Sequence, residues 1–274
     1  MFCMEGAVKR VLFVNSEMSP YLKETSVADL ALNLSQGIQE KKVEIRSFMP
    51  RYGLINERKN QLHEVIRLSG MNIVIGDVDR PLIIKVASLP AARMQVYFID
   101  NEDYFRRKAV YTDANGNFFK DNAERAVFFA RGVLETVKKL RWSPDVIHCT
   151  GWISQVLPLY LKKCYKDDPI FADSKVVLSL IDDTPASFDS KFQDILQFQG
   201  VSPQDVEVLQ DPTGINLAKL AISYSDGVIE GAAGVPAQLA AYAKELSLPV
   251  LEYDAARMAD GSYVDSYKSF YDQL

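Results

Sequence analysis

Residues 10–50 read RVLFVNSEMSPYLKETSVADLALNLSQGIQEKKVEIRSFMP, and the fold class follows from this stretch. Val11-Leu12-Phe13-Val14 is a continuous apolar run, the pattern of a strand buried on both faces of a parallel sheet. A polar turn covers Asn15 to Ser26. Val27, Leu30, Ala31 and Leu34 then recur at helical spacing, and Gly37 with Lys41-Lys42 marks the end of that helix. Val43 to Met49 alternates and stops at Pro50, the mark of a second strand. Strand, helix and strand in that order seed a doubly wound α/β sheet.

Further along, residues 54–100 are rich in β-formers. Met71–Ile75, Leu82–Val86 and Met94–Ile99 read as strands, with Asp77–Pro81 as a hairpin connection. They form an insertion on a Rossmann-like core. Asp113–Asn117 is a turn, and a helix follows from Lys120 to Leu140 with Ala123, Val127, Ala130, Leu134 and Val137 on one face. Pro144–His148 is another buried strand, with a helix expected over Gly151–Lys163. Val176–Ile181 and Gly227–Glu230 read as strands, separated by a helix over Asn216–Tyr224. Pro236–Leu246 is a helix and Pro249–Leu251 a short strand. Tyr267, Phe270 and Tyr271 sit at helical spacing in the last stretch. The expected organisation is one domain over 1–274, with 263–274 a C-terminal helix docked on it. Its core is a Rossmann-like, mostly parallel sheet with a β-hairpin insertion.

Composition narrows the function classes. The 274 residues are 48% apolar and 24% charged, ordinary for a globular chain. A net charge of −5 and a pI near 5.2 argue against a nucleic-acid partner. Cys3, Cys149 and Cys164 show no CxxC spacing, which fits a reducing cytoplasm. No apolar run approaches the length of a membrane span, and the N-terminus has no signal-peptide core. His63 and His148 are the only histidines, so a histidine-rich metal site is excluded. The carboxylates show no metal-binding spacing, and neither a metal nor a cofactor is expected.

Five segments, in order, resemble the bacterial glycogen and starch synthases. These are glucosyltransferases of GT-B architecture that use ADP-glucose or UDP-glucose. Lys9–Asp29 resembles the family's opening strand, its S-E-x-x-P and its K-T-G-G-L-A-D. The others are Phe98–Arg107, Asp121–Arg131 (DNAERAVFFAR), Pro144–Lys162 (PDVIHCTGWISQVLPLYLK) and Asn216–Gly227. The resemblance implies two Rossmann-like domains facing across a cleft. The N-terminal one receives the glucan acceptor and the C-terminal one holds the nucleotide-sugar. Full enzymes are roughly twice this length, so the chain is expected to correspond to the acceptor-side domain.

Carried over residue by residue, the resemblance makes Lys23, Asp121, Asn122, Glu124, Arg125, Thr150 and Trp152 the candidate ligand-binding residues. No residue is assigned as a catalyst. Lys23 keeps the lysine of K-T-G-G-L, but Glu24, Thr25 and Ser26 replace the threonine and both glycines. Lost glycines and an added carboxylate work against a phosphate there. The plainer reading of Thr25 or Ser26 is a helix N-cap. In the family's H-D-W segment Thr150 stands for the histidine and Gly151 for the aspartate, while Trp152 remains. Trp152 and His148 also read as core residues. In T-I-H-N the histidine and asparagine become Ile181 and Asp182. Asp182-Asp183 reads as a solvated loop, since adjacent residues at a strand end point in different directions. Asp121 and Arg125 are four apart on a helix and so placed to pair.

Three function classes follow, among them a structural or regulatory protein that keeps the fold in an unrelated role. One is a synthase-like domain without glucosyl transfer of its own, binding an α-glucan, a sugar nucleotide or a protein. A protein partner or a second copy would use the face toward the family's other domain. The alternative is a glucosyltransferase subunit moving glucose from ADP-glucose or UDP-glucose to an α-1,4-glucan, completed by a partner chain. An apolar surface near 23–26 and 150–154 would favour a protein partner, and a polar one an independent domain.

Overall fold

The computed structural model describes residues 8–22 and 25–274. The central strand β1 (Arg10–Asn15) leads through α1 (Ser26–Glu40) to β2 (Glu44–Pro50). A β-rich excursion follows: β3 (His63–Glu64), β4 (Met71–Ile75), β5 (Val78–Leu89) and β6 (Met94–Asp100). The short α2 (Glu102–Phe105) and the long α3 (Asn122–Leu140) return the chain to β7 (Val146–Thr150). The second half runs α4 (Leu157–Cys164), β8 (Lys175–Leu180), α5 (Phe192–Leu196), α6 (Gly214–Ser223) and β9 (Gly227–Glu230). It ends with α7 (Ala237–Glu245), β10 (Val250–Leu251), α8 (Ala255–Asp260) and α9 (Tyr263–Tyr271).

The strands lie in the order β10-β9-β8-β7-β1-β2-β6-β5-β3, with β4 paired to β5. All pairings from β10 to β6 are parallel, and β5 pairs antiparallel to β6, β3 and β4. The fold is therefore α/β, Rossmann-like and mostly parallel, with an antiparallel hairpin insertion. From β1 the chain winds one way through β2 and β6. After α3 it resumes on the other side of β1 and winds outward through β7, β8, β9 and β10. The strand order thus reverses between β1 and β7, the switch point beyond whose carboxyl ends folds of this kind form their binding crevice.

The continuous apolar run of β1 supplies two cores, because side chains alternate across a sheet. Val11 and Phe13 join Val146, Val177 and Ile229 under α1 and α9, which contribute Leu34, Ile38, Tyr267 and Phe270. Leu12 and Val14 join Ile147 and Leu178 on the opposite face, with Phe128 and Leu134 of α3 and Leu161 of α4.

Three local expectations are corrected. The hairpin turn is Gly76-Asp77, with Gly76 at φ +58°, and β5 already begins at Val78. Pro81 sits inside β5 opposite Asn72, and the pairing with β6 starts only at Ile83. The N–H that proline lacks is therefore not called on by β6. The helix expected over Gly151–Lys163 divides into a 3-10 turn, Trp152–Ser154, and α4. A continuous helix would drive the Pro158 ring into the carbonyl of Ser154; at the second position of α4 no such clash arises. The alternation in β2 gives way to full burial from Ser47 through Pro50, because helices pack on the strand's faces, with α1 and α3 both against it.

Candidate functional site

Three loops meet at the crevice: Ser16-Glu17 after β1, Gly151-Trp152 after β7 and Ile181–Asp183 after β8. The Ser16 N–H donates to the Thr150 carbonyl at 2.9 Å, which draws the first two together. Gly151 has φ +87°, and a Cβ there would lie 2.2 Å from Ser16 Oγ and 2.4 Å from Ser16 Cβ. Glycine is required twice over, by backbone conformation and by space. The Trp152–Ser154 turn starts here, held by the Ser154 hydroxyl on the Gly151 carbonyl at 2.7 Å.

The Trp152 N–H donates to Asp183 Oδ2 at 2.8 Å. Asp183 Oδ1 is enclosed and has no hydrogen-bond partner. Burial pushes the Asp183 carboxyl up to about 7; the Trp152 N–H pulls it down, while the nearby Glu17 and Asp182 charges raise it. Glu17 is tied to α1, since Thr25 Oγ1 donates to Glu17 Oε2 at 2.7 Å. The same Thr25 oxygen caps α1 by accepting the Ala28 N–H at 3.1 Å.

Aromatic side chains wall one side. The Tyr111 ring lies 4.7 Å from Trp152, and Phe118 and Phe188 each lie 5.4 Å from it. The Tyr52 hydroxyl donates to that of Tyr111 at 3.0 Å. Burial pushes both phenols well above their usual range. Behind Tyr52 lies Arg125, fully buried, its guanidinium 5.2 Å from the Phe105 ring and 5.7 Å from the Tyr52 ring. It donates to Asn122 Oδ1 at 2.5 Å, while its Nε and Nη2 have no partner. Burial lowers its pKa. Asn122 in turn donates to the Tyr111 carbonyl at 2.9 Å.

The sequence-derived candidates fall into two connected groups. Thr150 and Trp152 stand at the crevice, both buried. Asn122 and Arg125 are interior and reach the crevice through Tyr52 and Tyr111. Asp121 and Glu124 sit at the start of α3. The expected Asp121–Arg125 pair does not form: Asp121 takes both guanidinium arms of Arg107, at 2.9 and 2.6 Å, because Arg125 turns inward under the aromatics. Glu124 accepts the Tyr104 hydroxyl at 2.6 Å. Lys23 lies outside the described residues.

Sequence reasoning missed Ser16, Glu17, Tyr52, Tyr111 and Asp183 as site residues. Asp182 is exposed, as the solvated-loop reading has it, but the Asp183 carboxyl turns inward onto Trp152. The divergence of neighbours at a strand end was the available signal. His148 is fully buried below the crevice, between the Tyr271 and Ser179 hydroxyls, and burial lowers its pKa to about 3. Beside the crevice a cleft of about 190 Å³ is bounded by Ser26, Val27, Leu30, Ile181 and Tyr253. Among the described residues, no group of three or more His, Cys, Asp or Glu is arranged to hold a metal. Nor is any helix long and apolar enough to cross a membrane.

These features define a doubly wound α/β domain whose topological switch point gathers the Glu17 and Asp183 carboxylates beside a packed aromatic cluster around Trp152. The family model described as starch synthase catalytic domain matches residues 10–231, and the chain belongs to that family. Among its relatives, the glycogen synthase of Chlorobium limicola is 42% identical over 172 residues, 62% of this chain and 35% of that protein. The glycogen synthase of Chlorobaculum parvum is 34% identical over 219 residues, 79% of this chain and 44% of that one. The chain thus spans less than half the length of these relatives. The catalytic domain of starch synthase IV from Arabidopsis thaliana, solved bound to ADP and acarbose, superposes with a TM-score of 0.64. That likeness covers 82% of this chain and 45% of that one at 17% identity, and it concerns the fold, one Rossmann-like half of a GT-B arrangement.

Proposed function

We propose that this glycogen/starch-synthase-like domain binds carbohydrate, as an acceptor-side domain does, and does not transfer glucose on its own. The observation that carries the reading is Gly151. The H-D-W aspartate cannot be accommodated against Ser16, and the neighbouring histidine position holds Thr150, whose hydroxyl is no imidazole acid or base. Ile181 likewise puts an apolar side chain at the T-I-H-N histidine position, on the cleft beside the crevice. The starch synthase IV structure holds acarbose, a saccharide-like ligand class that suits the carboxylates and aromatics here.

Exposure favours a small ligand over a protein partner. Residues 150–154 are all buried. None of the large exposed apolar side chains among the described residues, such as Leu54 and Ile66, belongs to 25–26 or 150–154. The test combines a transfer assay from ADP-glucose and UDP-glucose to glycogen with calorimetry on maltoheptaose and ADP. Maltoheptaose binding without turnover is expected. Turnover that disappears in Lys23→Ala would instead establish a glucosyltransferase.

A further inference from the structure

We propose that the groove beneath α8 is a binding site for an uncharged saccharide, and that α8 is the lid that opens it. The inference rests on the carbohydrate-binding reading above and says where the ligand sits. α8 lies beyond residues 10–231, the part that matches the family model. It has no buried residue: Met258 is half-buried and the rest of the helix is exposed. Its polar contacts are mostly its own. The Asp254 carboxylate caps it by accepting the Ala256 and Arg257 N–H groups, and Asp260 accepts the Ser262 N–H. Among the described residues, a single side-chain hydrogen bond ties α8 to α9, from Arg257 Nη1 to Ser266 Oγ at 2.7 Å. At its end Gly261 has φ +83° with open space around it, the backbone freedom that a hinge uses.

Residues of α8 line three neighbouring spaces. The cleft of about 190 Å³ reaches the helix at Met258. A hollow of about 410 Å³ borders Arg257 and is walled by Leu251, Ser266 and Phe270. A void of about 20 Å³ joins them, since it shares Tyr253 and Met258 with the cleft and Leu251, Arg257 and Ser266 with the hollow. The cleft alone is smaller than the roughly 300–1,000 Å³ usual for small-ligand sites, and with the hollow it enters that range. Tyr267, on the wall of the void, has a buried hydroxyl without a hydrogen-bond partner. That hydroxyl lies 3.6 Å from where a Cβ of Gly231 would sit, and Gly231 is a wall of the open cleft. A ligand entering from the cleft under a raised α8 meets a free hydroxyl there. Charge selects its class. Among the described residues lining these spaces, Arg257 is the one cation, and Asp254 claims it at 3.3 Å. Even with Glu252 and Asp265 paired outward to Lys244 and Lys41, Asp182 and Glu230 keep the groove negative, which opposes a phosphate. A neutral ligand bearing hydroxyls can donate to these carboxylates and rest on the half-buried Tyr253 ring, which the cleft and the void share.

Hydrogen exchange and calorimetry on the whole chain, with maltoheptaose and with ADP as the anionic probe, test both parts. Without ligand, amides of 255–260 should exchange about tenfold or more faster than those of α9. Arg257→Ala cuts the tie to Ser266 and should speed exchange of 255–260 about threefold or more without moving the thermal midpoint. Maltoheptaose should slow 255–260 and 231–233 together by about tenfold, which a merely frayed helix would not show. Tyr253→Ala, at a side chain outside the packed core, should lose about fivefold or more in maltoheptaose affinity. Exchange of 255–260 in step with α9 would overturn the lid. Maltoheptaose binding that leaves 255–260 unprotected and tolerates Tyr253→Ala would overturn the groove as its site and leave the carbohydrate reading standing. Absence of maltoheptaose binding to wild type would remove that reading and the ligand of the groove with it. Protection of 255–260 by ADP in place of maltoheptaose would overturn the neutral-ligand assignment.

Discussion

Gly151 shows how one residue can fix what a site can hold. Its positive φ and its contact with Ser16 leave no space for an L side chain. Gly151→Ala should cost about 2 kcal/mol or more in urea unfolding, from the left-handed backbone and from the clash. Ser16→Gly in the same chain should recover the steric part and leave the backbone part. Unchanged stability in Gly151→Ala would show that the β1 and β7 loops part easily. The replacement of the aspartate is readable from the residues PDVIHCTGW, whereas its physical cause is not. Ser16 lies 135 positions earlier in the chain, and only the sheet brings the two together. Asp183 was half legible. The strand-end rule has Asp182 and Asp183 diverge, but the Trp152 amide decides which one turns inward.

At the scale of elements, α9 is tied to the sheet by more than apolar contact. The His148 imidazole lies between the Tyr271 and Ser179 hydroxyls, the latter at 2.8 Å, so one ring nitrogen donates and the other accepts. Tyr271→Phe strands one of these nitrogens in the core and should cost about 1–3 kcal/mol. Hydrogen exchange should locate the loss: amides of 263–271 should open before those of β1 and β7. Uniform acceleration across the sheet would mean that α9 is not a separable unit. The spacing of Tyr267, Phe270 and Tyr271 makes the helix legible, and α1 with the two strands beside it is recovered within a few residues. The short helices over 192–196 and 255–260 escaped notice because five or six residues hold too few turns to show a period.

At the scale of the molecule, two buried groups set opposing pH slopes. His148, lowered from 6.5 to about 3, stays neutral in the fold while the unfolded imidazole protonates. Its contribution to stability therefore falls as pH drops from 6.5 toward 3. Asp183, raised from 3.8 to about 7, holds a proton in the fold that the unfolded chain gives up. Its contribution falls as pH rises from about 4 to 7. Each slope is about 1.4 kcal/mol per pH unit, and between pH 4 and 6.5 they cancel. D183N should unmask the histidine slope, so its unfolding free energy relative to wild type should decline steadily as pH is lowered through that window. Parallel stability curves would show that Asp183 titrates alike in folded and unfolded chains. The order of elements is legible from periodicity, but the sheet order is not. That order depends on which side of β1 the chain chooses after α3, and no local pattern encodes the choice.

The placement of α9 also governs how the protein is made. Val11 and Phe13 belong to the first strand, yet their cover includes Tyr267 and Phe270, some 250 positions later in the sequence. The Val8 N–H even bonds Asp272 Oδ1 at 2.9 Å. At a synthesis rate of about 5–20 residues per second, that face of β1 waits on the order of 10–50 s for its last covering helix. A nascent chain of this protein thus carries an apolar strand face short of its cover while the intervening residues are made, and a chaperone has that long to find it.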